Sequence, residues 1–161
     1  MRKVTQEEAD NWRSLAEKHG FIDKSGGISI GRFVIESFVN KRIVLKLITP
    51  LIAPLYTHHG NNLKSPPILF DRTPDGQIII PGRWWAGMFD SLSEHPDVAG
   101  SVRDKALLAS RVIKVPDALL PSNTDTISFL APDDNGKSIP FEALPPGGKI
   151  VINLAEKEDQ D

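Results

Sequence analysis

Residues 66–89 read PPILFDRTPDGQIIIPGRWWAGMF and predict a strand, a tight turn and a helix in direct succession. The isoleucines at 78–80 predict a short buried strand, and Pro81-Gly82 predicts a tight turn directly after it. A helix is expected from about 83 to 93, because four apolar residues there fall on one helical face: Trp85, Met88, Phe89 and Leu92. A strand that turns straight into a helix indicates an α+β chain.

Upstream of this stretch, the sequence predicts one strand and one long loop. In residues 42–49 an alternation of Ile43, Leu45 and Leu47 is typical of a strand with one buried face. Residues 56–77 are polar and rich in turn-forming residues, so we expect a long functional loop that closes with a turn at 75–76.

The N-terminal part predicts a helix followed by a strand. Thr5 and Glu8 stand at capping-box spacing, and Gly20 follows a basic last turn, so a helix is expected over about 5–19. Its narrow apolar stripe suits docking on the domain or on a partner. Residues 28–39 are rich in β-forming residues and predict a strand.

The C-terminal part alternates one helix with several strands. We expect a helix at about 97–108, a strand at 110–115, a hairpin formed by 126–130 and 138–141, and a strand at 149–154. The domain organisation expected is an N-terminal helical extension (1–22), a single α+β domain (23–154) and a disordered acidic tail (155–161).

Composition narrows the class of protein. The chain has 161 residues and no cysteine, which excludes disulfides, thiolate nucleophiles and Cys-ligated metal centres. The absence of cysteine gives no sign of an oxidising compartment, so we expect a cytoplasmic location. No apolar run is long enough to span a membrane, so we expect no membrane partner. Residues 1–114 carry 16 Lys and Arg against 12 Asp and Glu, whereas residues 115–161 carry 3 against 9. The two parts are expected to face different partners, or simply to be solvated differently.

Four stretches, taken in order, resemble the RAMP superfamily of CRISPR-associated proteins. In that family a strand and a long loop lead to an Ile-Pro-Gly turn that opens the first helix of a ferredoxin-like fold. The matching stretches are Leu47-Ile48-Thr49-Pro50-Leu51, residues 66–89 with Ile80-Pro81-Gly82, Ser110-Arg111-Val112 with Asp117-Ala118, and Pro140 to Ile150. They cover about residues 42–154.

The resemblance implies a RAMP-like, partly ferredoxin-like antiparallel sheet with packed helices and an N-terminal helix. It also implies an RNA partner, such as a guide RNA, together with other protein subunits or a homo-oligomer. Family members that cleave RNA carry an aspartate in the loop that corresponds to residues 61–65, and this loop has none. We therefore expect a non-catalytic subunit without a cofactor or a bound metal.

The candidate RNA-binding residues are of three kinds: cationic side chains, one tryptophan and two glycines. Cations neutralise phosphates, an exposed tryptophan can stack on a base, and glycine lets a ligand backbone approach closely. Trp84 can equally pack under the long loop. The candidates are Lys46, Lys64, Arg72, Gly82, Arg83, Trp84 and Gly87. A local pair between Asp71 and Arg72 is also expected.

Two other functions remain open. The first is a protein-interaction or self-assembly module of a phage or mobile element, assembling through the N-terminal helix and hydrophobic strand edges. The second is a metal-independent ribonuclease that uses His58 or His59 as a general base, since histidine titrates near neutral pH.

Overall fold

The computed structural model describes residues 1–40, 42–54, 65–82, 113–114, 116–132, 135–153 and 155–156. The helices predicted at 83–93 and 97–108 lie outside these residues, and so do residues 56–64 of the loop predicted at 56–77. The helix and the antiparallel strands of the described part make the chain an α+β protein, as expected from the sequence.

Helix α1 spans Gln6–His19, which confirms the helix predicted at 5–19. The Glu8 backbone N–H donates to Thr5 Oγ1 at 3.2 Å, and the Thr5 N–H donates to Glu8 Oε1 at 3.3 Å. This reciprocal capping box satisfies two amides that the first turn of a helix leaves without partners. At the other end Gly20 has φ 75°, a left-handed conformation that glycine adopts without a steric penalty.

The strands follow in chain order and are mostly short. They are β1 (Phe33–Val39), β2 (Arg42–Leu47), β3 (Leu51–Ile52), β4 (Asp71–Arg72), β5 (Ile78–Ile80), β6 (Ile113–Lys114), β7 (Ala118–Leu120), β8 (Ile127–Pro132), β9 (Ser138–Leu144), β10 (Lys149–Asn153) and β11 (Ala155–Glu156).

The described strands pair antiparallel in small sheets. Their orders are β1-β2-β10, β3-β9-β8 and β4-β5-β7, with β6 and β11 forming a separate pair. The predicted hairpin at 126–141 is confirmed as β8 and β9, and the strands predicted at 42–49, 78–80 and 149–154 are confirmed as β2, β5 and β10. No sheet formed by the described residues has more than three strands.

The core lies between the three larger sheets. Leu45 faces Ile150 across β2 and β10, and Ile43 faces Ile152. All four side chains are at most 2% exposed, so the alternation read in residues 42–49 does mark a buried face. Further core residues come from the other sheets, among them Ile68, Phe70, Ile78, Ile80 and Phe141.

Three sequence predictions need correction. The strand predicted from residue 28 begins only at Phe33, because Gly31 has φ 71° and bends the chain while its N–H donates to Pro50 O. The predicted loop is structured in its second half, where Ile68 bridges Phe141 and β4 pairs with β5. Residues 155–156, which were assigned to the disordered tail, form strand β11 and pair with β6, while residues 157–161 lie outside the described residues.

The N-terminal segment packs on the rest of the chain at two places. Ala16 and Phe21 form a buried cluster with Ile48, directly after β2. Arg2 extends the β8 edge: its N–H donates to Thr126 O at 3.0 Å, and its carbonyl accepts from the Ser128 N–H at 2.9 Å. Helix α1 therefore docks on its own domain.

Candidate functional site

Only some of the residues singled out from the sequence lie in the described part of the chain. Lys46 is on β2, Arg72 is on β4, and Gly82 follows β5. The others lie outside the described residues: Lys64, Arg83, Trp84, Gly87 and the two candidate catalytic histidines, His58 and His59. The roles given to those six remain predictions.

Arg72 makes a two-point ion pair with the buried carboxylate of Glu142. Arg72 Nη1 donates to Glu142 Oε1 at 2.9 Å and Nη2 donates to Oε2 at 2.5 Å. The Phe70 N–H also donates to Oε1, at 3.0 Å. Glu142, on β9, is 2% exposed, while the Arg72 side chain is 34% exposed. The pair therefore ties β4 to β9, and the expected local pair with Asp71 is replaced by a contact 70 positions away.

Glu142 is held in its charged form despite its burial. Burial alone would raise the pKa of this carboxyl, but hydrogen bonds from Arg72, the Phe70 N–H and Thr126 outweigh that effect and bring the pKa below its ordinary value. The same contact raises the pKa of Arg72. Much of the Arg72 hydrogen-bonding capacity is thus used inside the protein.

Gly82 is also engaged within the chain. Its buried N–H donates to Asp117 Oδ1 at 2.7 Å, which links the end of β5 to the residue before β7. A carboxylate therefore occupies the backbone amide of Gly82, one of the candidate RNA-binding residues. A phosphate group would have to compete with Asp117 for this donor.

Three cations lie on one face of the β1-β2-β10 sheet, opposite to the core. In β2 the core cluster contains the odd-numbered Ile43, Leu45 and Leu47, so Arg42, Val44 and Lys46 point to the other face, where Val44 is itself only 9% exposed. Lys46 is directly opposite Lys149 of β10. We call Arg42, Lys46 and Lys149 the basic strip.

The basic strip carries more positive than negative charge. Lys149 Nζ lies 2.9 Å from Glu36 Oε2, and the Lys149 side chain is 60% exposed. Lys46 makes no ion pair with another residue of the described ranges. Like charges directly opposite each other on a sheet are destabilising, so an anion bound between Lys46 and Lys149 would relieve their repulsion.

A pocket of about 220 Å³ opens beside one end of the basic strip. Four strands or their immediate flanks form it, where the three larger sheets meet. Its walls are mostly leucine, isoleucine and proline, and its few polar groups include Lys149. The lining residues are Leu47, Leu120, Pro121, Thr124, Asp125, Leu144, Pro145, Gly148, Lys149 and Ile150.

Other kinds of site find no support in the part of the chain that the structure covers. No group of three or more His, Asp or Glu side chains is close enough together there to hold a metal ion. None of its helices has the length and apolar character needed to cross a membrane.

Sequence reasoning missed three residues that shape these sites: Glu142, Asp117 and Lys149. Lys149 stands just before the Ile150 and Ile152 alternation, so its place on the opposite face was readable. The position of Lys149 opposite Lys46 depends on strand register, which could not be predicted from the sequence. The partners of Glu142 and Asp117 lie 70 and 35 positions away, and no local signal marks such contacts.

Comparison of the chain with protein-family models, with curated proteins and with solved structures finds no match in any of the three.

Proposed function

We propose that this protein is a non-catalytic RNA-binding or assembly subunit of a CRISPR-type ribonucleoprotein complex, with a RAMP-like, partly ferredoxin-like core. The basic strip is the structural observation that carries the proposal. The order of the four RAMP-like stretches in the sequence supports it as well. An RNA strand, such as a guide RNA, would then run along the sheet face with its phosphates near Lys46 and Lys149.

The chemistry of the strip suits an extended polyanion. Lys and Arg release counterions from nucleic acid when they neutralise phosphates, and this supplies most of the affinity that does not depend on sequence. Arg42 and Lys46 stand four residues apart on β2, so their Cα atoms are separated by about 13 Å at the rise of a β-strand. Such spacing lets one strand of RNA meet cations at more than one phosphate.

The remaining candidates enter the proposal in different ways. Arg83, Trp84, Gly87 and Lys64 would extend the RNA contact through the long loop and the turn after β5. Arg72 would contribute chiefly by holding β4 against β9, because Glu142 occupies its guanidinium.

The test compares two triple variants in binding a fluorescein-labelled single-stranded oligouridylate, followed by fluorescence anisotropy. R42Q/K46Q/K149Q removes the strip, and K3Q/K18Q/K24Q removes three exposed lysines elsewhere, with the same change in net charge. We expect the strip variant to raise Kd at least tenfold. For the strip variant, the plot of log K against log salt should be less steep by about two, as expected when three contacts to a single strand are lost.

The control variant should bind within about twofold of the parent protein, since scattered lysines add little. Equal losses in both variants would show that only net charge matters. Unchanged binding in the strip variant would refute the strip as the RNA surface.

A second candidate function, a protein-interaction or self-assembly module, is favoured by exposed leucines on edge strands. Leu130 on β8 is 69% exposed and Leu119 on β7 is 52% exposed. Exposed apolar residues on sheet edges are suited to pairing with another chain. A defined oligomer that lacks RNA and persists at high salt would support this function, and an RNA-free monomer would exclude self-assembly.

A further inference from the structure

Glu36 lies on a part of β1 that is out of regular register with β2. Ile35 is opposite Leu45, whereas Ser37 is opposite Val44. Glu36, between them, therefore has no partner on β2. An extra residue of this kind forms a β-bulge, which bends the strand locally and redirects a side chain. The direction of the Glu36 side chain is thus set by an irregularity of the strand.

The Glu36 side chain reaches across the middle strand of its sheet. β1 and β10 both pair with β2, and two strands that flank a common neighbour are about 9.5 Å apart. Glu36 Oε2 nevertheless lies 2.9 Å from Lys149 Nζ on β10. Val44 of β2, on the same face, is only 9% exposed, as expected beneath a side chain that crosses this strand. A carboxylate of the protein itself is thus placed inside the basic strip.

The contact between Glu36 and Lys149 remains open to solvent. The Lys149 side chain is 60% exposed and the Glu36 side chain is 31% exposed. An exposed ion pair contributes little to stability, because water and salt screen it and two long side chains must be ordered. A competing anion can therefore separate the two side chains without disturbing the fold.

The neighbouring cations favour a polyanion as that competitor. A single anion would replace one negative charge at Lys149 by another and would gain little. An RNA strand that is already held at Arg42 and Lys46 brings a further phosphate to Lys149 at a high effective concentration. The displaced Glu36 carboxylate then lies near the phosphates and repels them. It therefore lowers the affinity of the strip, as a repulsive element built into a binding surface does.

We propose that Glu36 is a built-in competitor of RNA phosphate for Lys149 and that it limits the affinity of the basic strip. The inference rests on the proposed binding of RNA by the strip. The Glu36 carboxylate leaves Lys149 when a phosphate binds there, and it returns when the RNA dissociates. Glu36 thus tunes binding without having to contact the RNA.

The experiment measures binding of fluorescein-labelled oligouridylate by fluorescence anisotropy at low salt, for the parent protein and for E36Q. Glutamine keeps the shape of the side chain and removes its charge. We expect E36Q to lower Kd about two- to fivefold, the range that corresponds to an exposed ion pair. The matched control is E7Q, because Glu7 is exposed in the first turn of α1 and forms no ion pair with another described residue. E7Q should leave Kd unchanged.

The same substitution in a K149Q background shows whether Glu36 acts through Lys149. Without the lysine, the carboxylate has no cation to occupy at this position. E36Q/K149Q should therefore bind oligouridylate no more tightly than K149Q, which is the coupling that a double-mutant cycle measures. An equal gain from E36Q in both backgrounds would show that Glu36 acts only through net charge, and it would overturn the proposal.

The remaining outcomes separate this inference from the proposed function. If the parent protein binds oligouridylate and E36Q binds it equally or more weakly, the role of Glu36 as a competitor is refuted while the strip remains an RNA surface. A gain in E7Q equal to that in E36Q refutes it as well. If neither the parent protein nor E36Q binds oligouridylate, the proposed function fails and the inference fails with it.

Discussion

Glu142 shows how one buried charge can be compatible with a stable core. Its carboxylate is removed from water, which is costly for a charged group unless partners replace the lost hydration. Arg72 supplies a countercharge and two hydrogen bonds, and the Phe70 N–H supplies a third. The pair also joins two sheets, so its loss should be felt in the stability of the whole domain.

Replacing Arg72 by methionine should destabilise the protein. Breaking a buried pair from one side costs about 3–5 kcal/mol, and because the Arg72 side chain is one-third exposed we expect about 2–3 kcal/mol. The measurement is the free energy of unfolding in urea at neutral pH. R72M/E142Q should recover part of the loss, because it removes the buried charge but keeps an acceptor for Phe70. An R72M protein as stable as the parent would show that the ion pair does not stabilise the fold.

The same pair predicts a pH dependence with a definite sign. In the parent protein the folded-state pKa of Glu142 lies below its ordinary value, so its contribution is present above the unfolded pKa and is lost as pH falls through the folded pKa. In R72M burial acts without the guanidinium and should raise the pKa. A carboxyl of raised pKa destabilises the fold increasingly as pH rises past the unfolded value of about 4.3.

The stability gap between the parent protein and R72M should therefore widen as pH rises from about 3 to about 7. Urea unfolding at a series of pH values measures it. R72M/E142Q serves as the control, since it has no carboxyl at this position and should show no such widening. A gap that is independent of pH would mean that Arg72 acts only through packing.

At the scale of elements, helix α1 was readable from the sequence because its signals are local. Thr5, Glu8 and Gly20 lie within one turn of the helix ends, and each acts on the backbone next to it. Arg2 and the Thr5 N–H both donate hydrogen bonds to the Glu8 carboxylate, and these lower the pKa of Glu8 to about 2. The helix start is thus tied to the segment that extends β8.

Replacing Thr5 by alanine should weaken this helix start. The substitution leaves the Glu8 N–H without its side-chain acceptor, which costs about 0.5–2 kcal/mol for an N-cap residue. Urea unfolding measures the loss, and T5S should keep most of the stability because serine offers the same oxygen. Equal stability of T5A and T5S would show that the cap contributes little.

The strands were readable from alternation, but their pairing was not. Ile43, Leu45 and Leu47 mark a buried face whichever strand lies beside it, whereas β2 pairs with β10 more than 100 positions later. The segment containing Ile68 was expected in a loop because its prolines and polar neighbours resemble one. It packs on β9 because Ile68 and Phe70 are buried there and their backbone groups bond to Pro140 O and the Glu142 side chain.

At the scale of the whole molecule, the basic and acidic parts of the sequence are not kept apart in three dimensions. Lys149 belongs to the acidic third of the chain, yet β10 brings it next to Lys46 of the basic part. Glu142, also from the acidic third, is used inside the protein by Arg72. The candidate surface is therefore defined by strand pairing, which explains why the sequence pointed to Lys46 but not to Lys149.

The proposed binding of RNA is tested most directly by purifying the chain at low salt and measuring the 260/280 nm absorbance ratio together with molar mass by light scattering. We expect a nucleoprotein with a raised absorbance ratio, whose RNA is released by high salt because phosphate contacts hold it. A protein that is free of nucleic acid at low salt, whether monomer or defined oligomer, would contradict it.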